Sequence, residues 1–95
     1  MNKYEAMFIV KPELSEEEKK NLFSQIADII VKNNGKILDG NIWSEKKKLC
    51  FRIGKYQEGT YYLVNFNLEA SAITKIKYAF KLNENILRVM ILRVG

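Results

Sequence analysis

From Tyr4 to Val10 the chain alternates, with Tyr4, Ala6, Phe8 and Val10 on one side and Glu5, Met7 and Ile9 on the other. Both sides are largely apolar, which predicts a strand in the middle of a sheet. Lys11, Pro12 and Glu13 interrupt it. Ser15 followed by Glu16, Glu17 and Glu18 has the spacing of a capping box, with carboxylates at the positive end of a helix dipole. Leu22, Phe23, Ile26, Ala27, Ile29 and Ile30 then recur at helical spacing on one face. Asn33, Asn34 and Gly35 predict the stop, with Gly35 expected in the left-handed conformation.

Lys36 to Ile53 reads as one long, irregular strand. Gly40 and the polar run from Ser44 to Lys48 predict a bulge or bend within it. Gly54 to Gly59 reads as a hairpin loop, and Thr60 to Leu68 as its return strand. Ser71 is expected to cap a second helix, whose stripe is Ile73, Ile76, Ala79 and Phe80. Asn83 to Asn85 turns the chain into a last strand, Ile86 to Val94. The order is β-α-β-β-α-β. An α+β, ferredoxin-like fold follows: a four-stranded antiparallel sheet with two helices on one face. The first and third strands are then central, and the second and fourth are edges. Residues 1–95 read as a single domain with no linker, repeat or tail.

Composition narrows the chemistry. Lys and Arg outnumber Asp and Glu by 16 to 11, a net charge of +5, in 95 residues. Much of the acid sits at the first helix start, so the remaining surface is more basic than the net figure. Such a domain meets nucleic acid or acidic partners, or simply carries a soluble, lysine-rich surface. There is no histidine and one cysteine, Cys50. That removes the commonest general base and any zinc set, and no metal or other cofactor is expected. Cys50, between Leu49 and Phe51, reads as a buried, inert thiol. The carboxylates outside the helix start are scattered singly, so the chain reads as a binding protein and not an enzyme. Apolar runs of four or five residues are too short to span a membrane. With no apolar leader before Tyr4, a cytoplasmic protein is expected.

The fold alone leaves several functions open. An RNA-recognition motif has the same order of elements, and stacks bases on third-strand aromatics. Against its signature, Glu58 to Asn65 keeps Gly59, Tyr62 and Leu63 and fails at Glu58, Thr60, Tyr61 and Asn65. A metabolite-binding regulatory domain is a further alternative, with Gly54 to Gly59 its candidate loop.

Four stretches point elsewhere. The chain opens with Tyr4, Glu5 and an apolar strand ending in Lys11 and Pro12. Its middle has Trp43, then Lys47, Lys48, Leu49, Cys50, Phe51, Arg52, Ile53, Gly54 and Lys55. The return carries Gly59, Thr60, Tyr61 and Tyr62. Last comes the run from Phe80 to Ile91, including Asn85, Leu87, Arg88, Val89 and Met90. Together, across essentially the whole chain, these resemble the bacterial small-subunit ribosomal protein S-six family. Cys50 and Phe51 replace small and tyrosyl members, Arg52 stands where proline is usual, and the polar tail of many members is absent.

The resemblance implies a structural role in the small ribosomal subunit. The partners it implies are ribosomal protein S-eighteen and the central domain of small-subunit ribosomal RNA. Arg88, in the best-matched stretch, is the first RNA candidate, since its fork suits phosphate; pairing with a neighbouring glutamate is the alternative. Lys55, Lys3, Tyr4 and Arg93 are further RNA candidates. Ile42, Trp43, Lys46, Lys47 and Lys48 on the second strand look like a partner-docking edge guarded by charge. The same edge is where the resemblance puts the companion protein. Trp43 could instead belong to the core.

Overall fold

The alternation of the first strand becomes the division between core and surface. The computed structural model describes residues 1–94, with the side chains at 43–47, 50 and 51 outside the described set. Its elements are β1 (Asn2–Val10), α1 (Glu16–Lys32), β2 (Lys36–Ile53), β3 (Tyr56–Leu68), a 3-10 turn (Ala70–Ala72), α2 (Ile73–Lys81) and β4 (Ile86–Arg93). The sheet order is β2-β3-β1-β4, antiparallel throughout, so β1 and β3 are central as expected. Both helices lie on one face. Tyr4, Ala6, Phe8 and Val10 of β1 and Val64, Phe66 and Leu68 of β3 form one core with Leu22, Ile26 and Ile30 of α1 and Ile76 and Phe80 of α2.

Aromatic rings organise that core. Phe8 meets Phe80 edge to face at 4.9 Å between centroids, and Phe23 stacks on Tyr62 at 3.7 Å. Such pairs add about 0.5–1.5 kcal/mol beyond their area burial. Gly40 of β2 makes room for the same tyrosine, since a Cβ there would lie 2.6 Å from the Tyr62 hydroxyl.

Helix α1 begins as its sequence predicts. The Glu18 amide donates to Ser15 Oγ at 3.1 Å, and the Ser15 amide donates to Glu18 Oε1 at 3.0 Å. These bonds, first the one from the Ser15 backbone, hold the Glu18 carboxyl below its ordinary pKa. The helix stop differs in one particular. Asn34, not Gly35, takes the left-handed conformation, with φ 66°. The Gly35 amide donates to the Ile30 carbonyl at 2.9 Å and the Asn34 amide to Val31 at 3.0 Å, a Schellman motif. Gly35 is required for space instead: a Cβ there would sit 2.6 Å from Ile30 Cγ2 and 2.9 Å from Leu68.

Two further expectations are corrected. Ser71 does not cap α2; the N-cap is Ala72, without a side-chain bond. A 3-10 turn leads into the helix, and its backbone already satisfies the Ile73 amide through Ala70. The leading turn thus removes the need for a side-chain cap there. The hairpin loop is also much shorter than Gly54 to Gly59. Ile53 pairs with Tyr56, leaving Gly54 and Lys55 as the turn. Gly54, with φ 58°, supplies the positive angle that a tight two-residue hairpin needs.

Two stability outcomes follow. Gly35→Ala should cost about 1–3 kcal/mol in urea unfolding, because a backbone carbonyl is among its close contacts. Asn34→Gly should be neutral or stabilising, and equal loss in both variants would show that shape at Gly35 is not the constraint. Glu18 titrates at lower pH in the folded chain. Its contribution is therefore complete above the unfolded value and is lost as pH falls through the folded one. Thermal melts carried into acid should show a shallower decline for Glu18→Gln than for the parent chain.

Candidate nucleic-acid and partner interface

The helix-free face of the sheet is assembled by register. Across β4, β1, β3 and β2, Leu92, Glu5, Asn65 and Asp39 form one row. Met90, Met7, Leu63 and Asn41 form the next, and Arg88, Ile9 and Tyr61 the one after. Met90 and Leu92 are 40% and 63% exposed, and Met7 and Leu63 are half-buried between the edges. An apolar band therefore crosses the open face. Beside it Asn65 donates to Asp39 Oδ1 at 2.8 Å, and Glu5 completes an acidic margin. Scattered single apolar residues are ordinary on a surface, whereas a contiguous band of this kind is a candidate for interaction.

Further along this face Leu49 of β2 lies over Gly59 of β3, near Ile9 of β1. Leu49 and Ile9 are buried, and a Cβ on Gly59 would lie 2.5 Å from Ile9 and 3.5 Å from Leu49. Gly59 thus lets β2 and β3 approach Ile9. The tip is tied down separately. The Tyr56 hydroxyl donates to Glu13 Oε1 at 2.9 Å, in the loop between β1 and α1. That carboxylate partner is the main reason the Tyr56 hydroxyl titrates above its ordinary range.

The cations expected to meet RNA fall into two groups. Lys3 and Arg93 lie at the end where β1 begins and β4 finishes; Arg93 donates to Asn2 Oδ1 at 3.1 Å. Lys36 joins them, since Lys3 and Lys36 both lie opposite Asn67. Arg88 stands opposite Ile9, about 20 Å along β1 from Lys3 at the usual strand rise. It is exposed and makes no ion pair among the described residues. Lys55 lies at the hairpin tip toward Arg88's end of the sheet, its Nζ 5.5 Å from the centre of the Tyr56 ring. Tyr4 is different. Its ring is buried on the helix side, 5.7 Å from Phe66, and its hydroxyl accepts a 3.4 Å bond from Asn2. Alternation already put Tyr4 with Phe8, on the core side.

The partner candidates share edge strand β2. Ile42 is 39% exposed, and Lys48 is exposed opposite Glu58. The side chains of Trp43, Lys46 and Lys47, and that of Cys50, lie outside the described residues. The strand continues through Arg52 to Ile53, with Arg52 exposed. What sequence reading left out is the apolar band of Met7, Leu63, Met90 and Leu92. Its signal was present as every second residue of three strands, but only their register joins them.

Base stacking finds little support on this face. Tyr4 and Phe8 of β1 and Tyr62 and Phe66 of β3 all turn toward the helices. Among the described residues Tyr61 is the aromatic of the central strands on the open side. No described group of His, Cys, Asp and Glu could hold a metal ion, and no described helix is long and apolar enough to cross a membrane.

Comparison with known proteins bears on the family and the fold. The profile of the family described as Ribosomal protein S6 matches residues 3–93. The small ribosomal subunit protein bS6 of Thermoanaerobacter pseudethanolicus is 38% identical over 93 residues, covering 98% of this chain and 97% of that protein. Its counterpart in Caldanaerobacter subterraneus subsp. tengcongensis is 34% identical with the same coverage. The crystal structure of 30S ribosomal protein S6 from Thermotoga maritima superposes with a TM-score of 0.88 at 28% identity. It covers 98% of this chain and 87% of its own.

Proposed function

This chain belongs to the Ribosomal protein S6 family, and from that premise we propose that it pairs with ribosomal protein S-eighteen and that the pair binds the central domain of small-subunit ribosomal RNA. It is a structural, RNA-binding component of the small ribosomal subunit, not an enzyme, and it works in the cytoplasm as part of the ribosome.

The observation that supports the pairing is the apolar band of Met7, Leu63, Met90 and Leu92 on the helix-free face, next to edge strand β2, whose Ile42 and Lys48 lie opposite Tyr62 and Glu58 and so belong to the helix side of that edge. An acidic margin at Glu5 and Asp39 suits a protein surface better than a phosphate backbone. Burying apolar area there contributes roughly 25 cal/mol per Å². The lysines of β2 guard the edge until the companion covers it. RNA contacts then fall to the cationic ends of the sheet. Arg88 has no counter-charge among the described residues, which suits its guanidinium to take a phosphate bidentately. Lys3, Arg93 and Lys55 add point charges whose binding releases counterions. Phosphate contacts set position, and the shape of the folded RNA supplies selectivity.

Gradient sedimentation of cell extract should place the chain with the small subunit at both low and normal magnesium. A protein found only at the top of both gradients would end this reading. Reversing two charges, Lys47→Glu with Lys48→Glu, should weaken capture of the companion protein while the circular dichroism spectrum stays unchanged. Full capture would remove those lysines from the docking edge. In a salt titration of the protein pair on its RNA, Arg88→Gln should flatten the log–log slope by about 0.7–0.9.

A further inference from the structure

The two helices treat charge differently. In α1, Glu16, Glu17, Glu18 and Asp28 offset Lys19, Lys20 and Lys32, and Lys19 pairs with Glu16 at 3.0 Å. Helix α2 carries Lys75, Lys77 and Lys81 and no acidic residue at all. These three lysines are exposed, and none has a hydrogen bond or ion pair among the described residues. The flanking acids do not compensate: Glu69 lies 3.8 Å from the Met1 amine, and Glu84 lies past the helix end.

An aromatic interrupts the cations. Tyr78 sits three residues from Lys75 and three from Lys81, which places all of them on one side of the helix. It is 65% exposed, and Leu82, four residues further along, is 67% exposed. Lys75 and Lys81 are about 9 Å apart along the axis at 1.5 Å per residue. Next to Lys75 a polar cleft of 290 Å³ opens between the helices, lined by Lys32, Asn33, Asn34, Glu69 and Ser71. The start of α2 faces this cleft without a side-chain cap.

Cations alternating with an exposed ring fit a nucleic-acid strand, whose phosphates take the ammonium groups while a base or ribose lies on the tyrosine. A helical protein partner would instead need a continuous apolar stripe. We propose that the outer face of α2, with Lys75, Lys77, Tyr78 and Lys81, is a second RNA-contact surface, separate from the sheet. It rests on the ribosomal reading above and extends it. The helices cover the side of the sheet opposite Arg88 and Lys3, across a molecule whose shortest extent is 22 Å. The chain then bridges two RNA segments.

Amine acylation of small ribosomal subunits, read by mass spectrometry, tests this directly. Lys75, Lys77 and Lys81 should react poorly in intact subunits and regain the free chain's reactivity after ribonuclease digestion. Protection that survives ribonuclease would mean a protein covers α2, and would overturn the inference. Full reactivity in intact subunits, with Lys3 and Lys55 still protected, would overturn it too while leaving the sheet-side reading in place. Free reaction at all five lysines would sink both. As a second measure, the exposed triple variant Lys75→Gln, Lys77→Gln and Lys81→Gln should leave subunits at lower salt than the parent chain. Its log–log salt slope should fall by about 0.7–0.9 for each phosphate that is no longer neutralised. An unchanged release profile would count against the proposal.

Discussion

Phe8 can reach Phe80, and Phe66 can sit beneath the helices, only if β1 lies on β3 in the observed register. Because side chains alternate along a strand, a slip of one residue would exchange the two faces. Glu5 and Met7 would then enter the core, and Phe8 would face water. Each large side chain moved in that way forfeits about 1.5–3 kcal/mol of burial. The same register also gathers Met7, Leu63, Met90 and Leu92 into one band. Core and apolar band are thus two sides of one pairing.

The edge strand is built less regularly, and its irregularity has consequences. β2 runs 18 residues opposite a shorter stretch of β3, with register shifts after Ile37, Ile42, Ser44 and Lys48. Bulges bend a strand and increase its twist. Here the bent hairpin returns Leu49 to Ile9, while Tyr56 ties the tip to Glu13. Two glycines permit the close approaches: Gly59 beneath Leu49, and Gly40 beside the Tyr62 hydroxyl. An irregular, lysine-bearing edge is also a poor template for pairing with stray strands.

Charge is distributed by the same economy of place. Carboxylates collect where α1 begins, where the helix dipole and the capping bonds favour them. This leaves cations in surplus at both ends of the sheet and along α2. A net charge of +5 therefore understates how basic those regions are. For a protein held against RNA, that separation keeps acid away from phosphate without sacrificing helix stability.

The sequence by itself determined the order of elements, the ferredoxin-like arrangement, the capping box at Ser15 and the family resemblance. Each of these is written in local periodicity, in short-range spacing, or in stretches of residues that survive comparison. It also carried the burial of Tyr4, since alternation puts it with Phe8, although its place at the start of β1 made it an RNA candidate. Tertiary structure decided the rest. Gly35 rather than Asn34 looked like the left-handed residue until the closeness of Ile30 and Leu68 gave glycine another reason to be there. Ser71 looked like a cap until the 3-10 turn satisfied the backbone first. The apolar band and the two separated cationic ends join residues far apart in the chain. Strand register and helix packing bring them together, and those are properties of long-range contacts that no local pattern encodes.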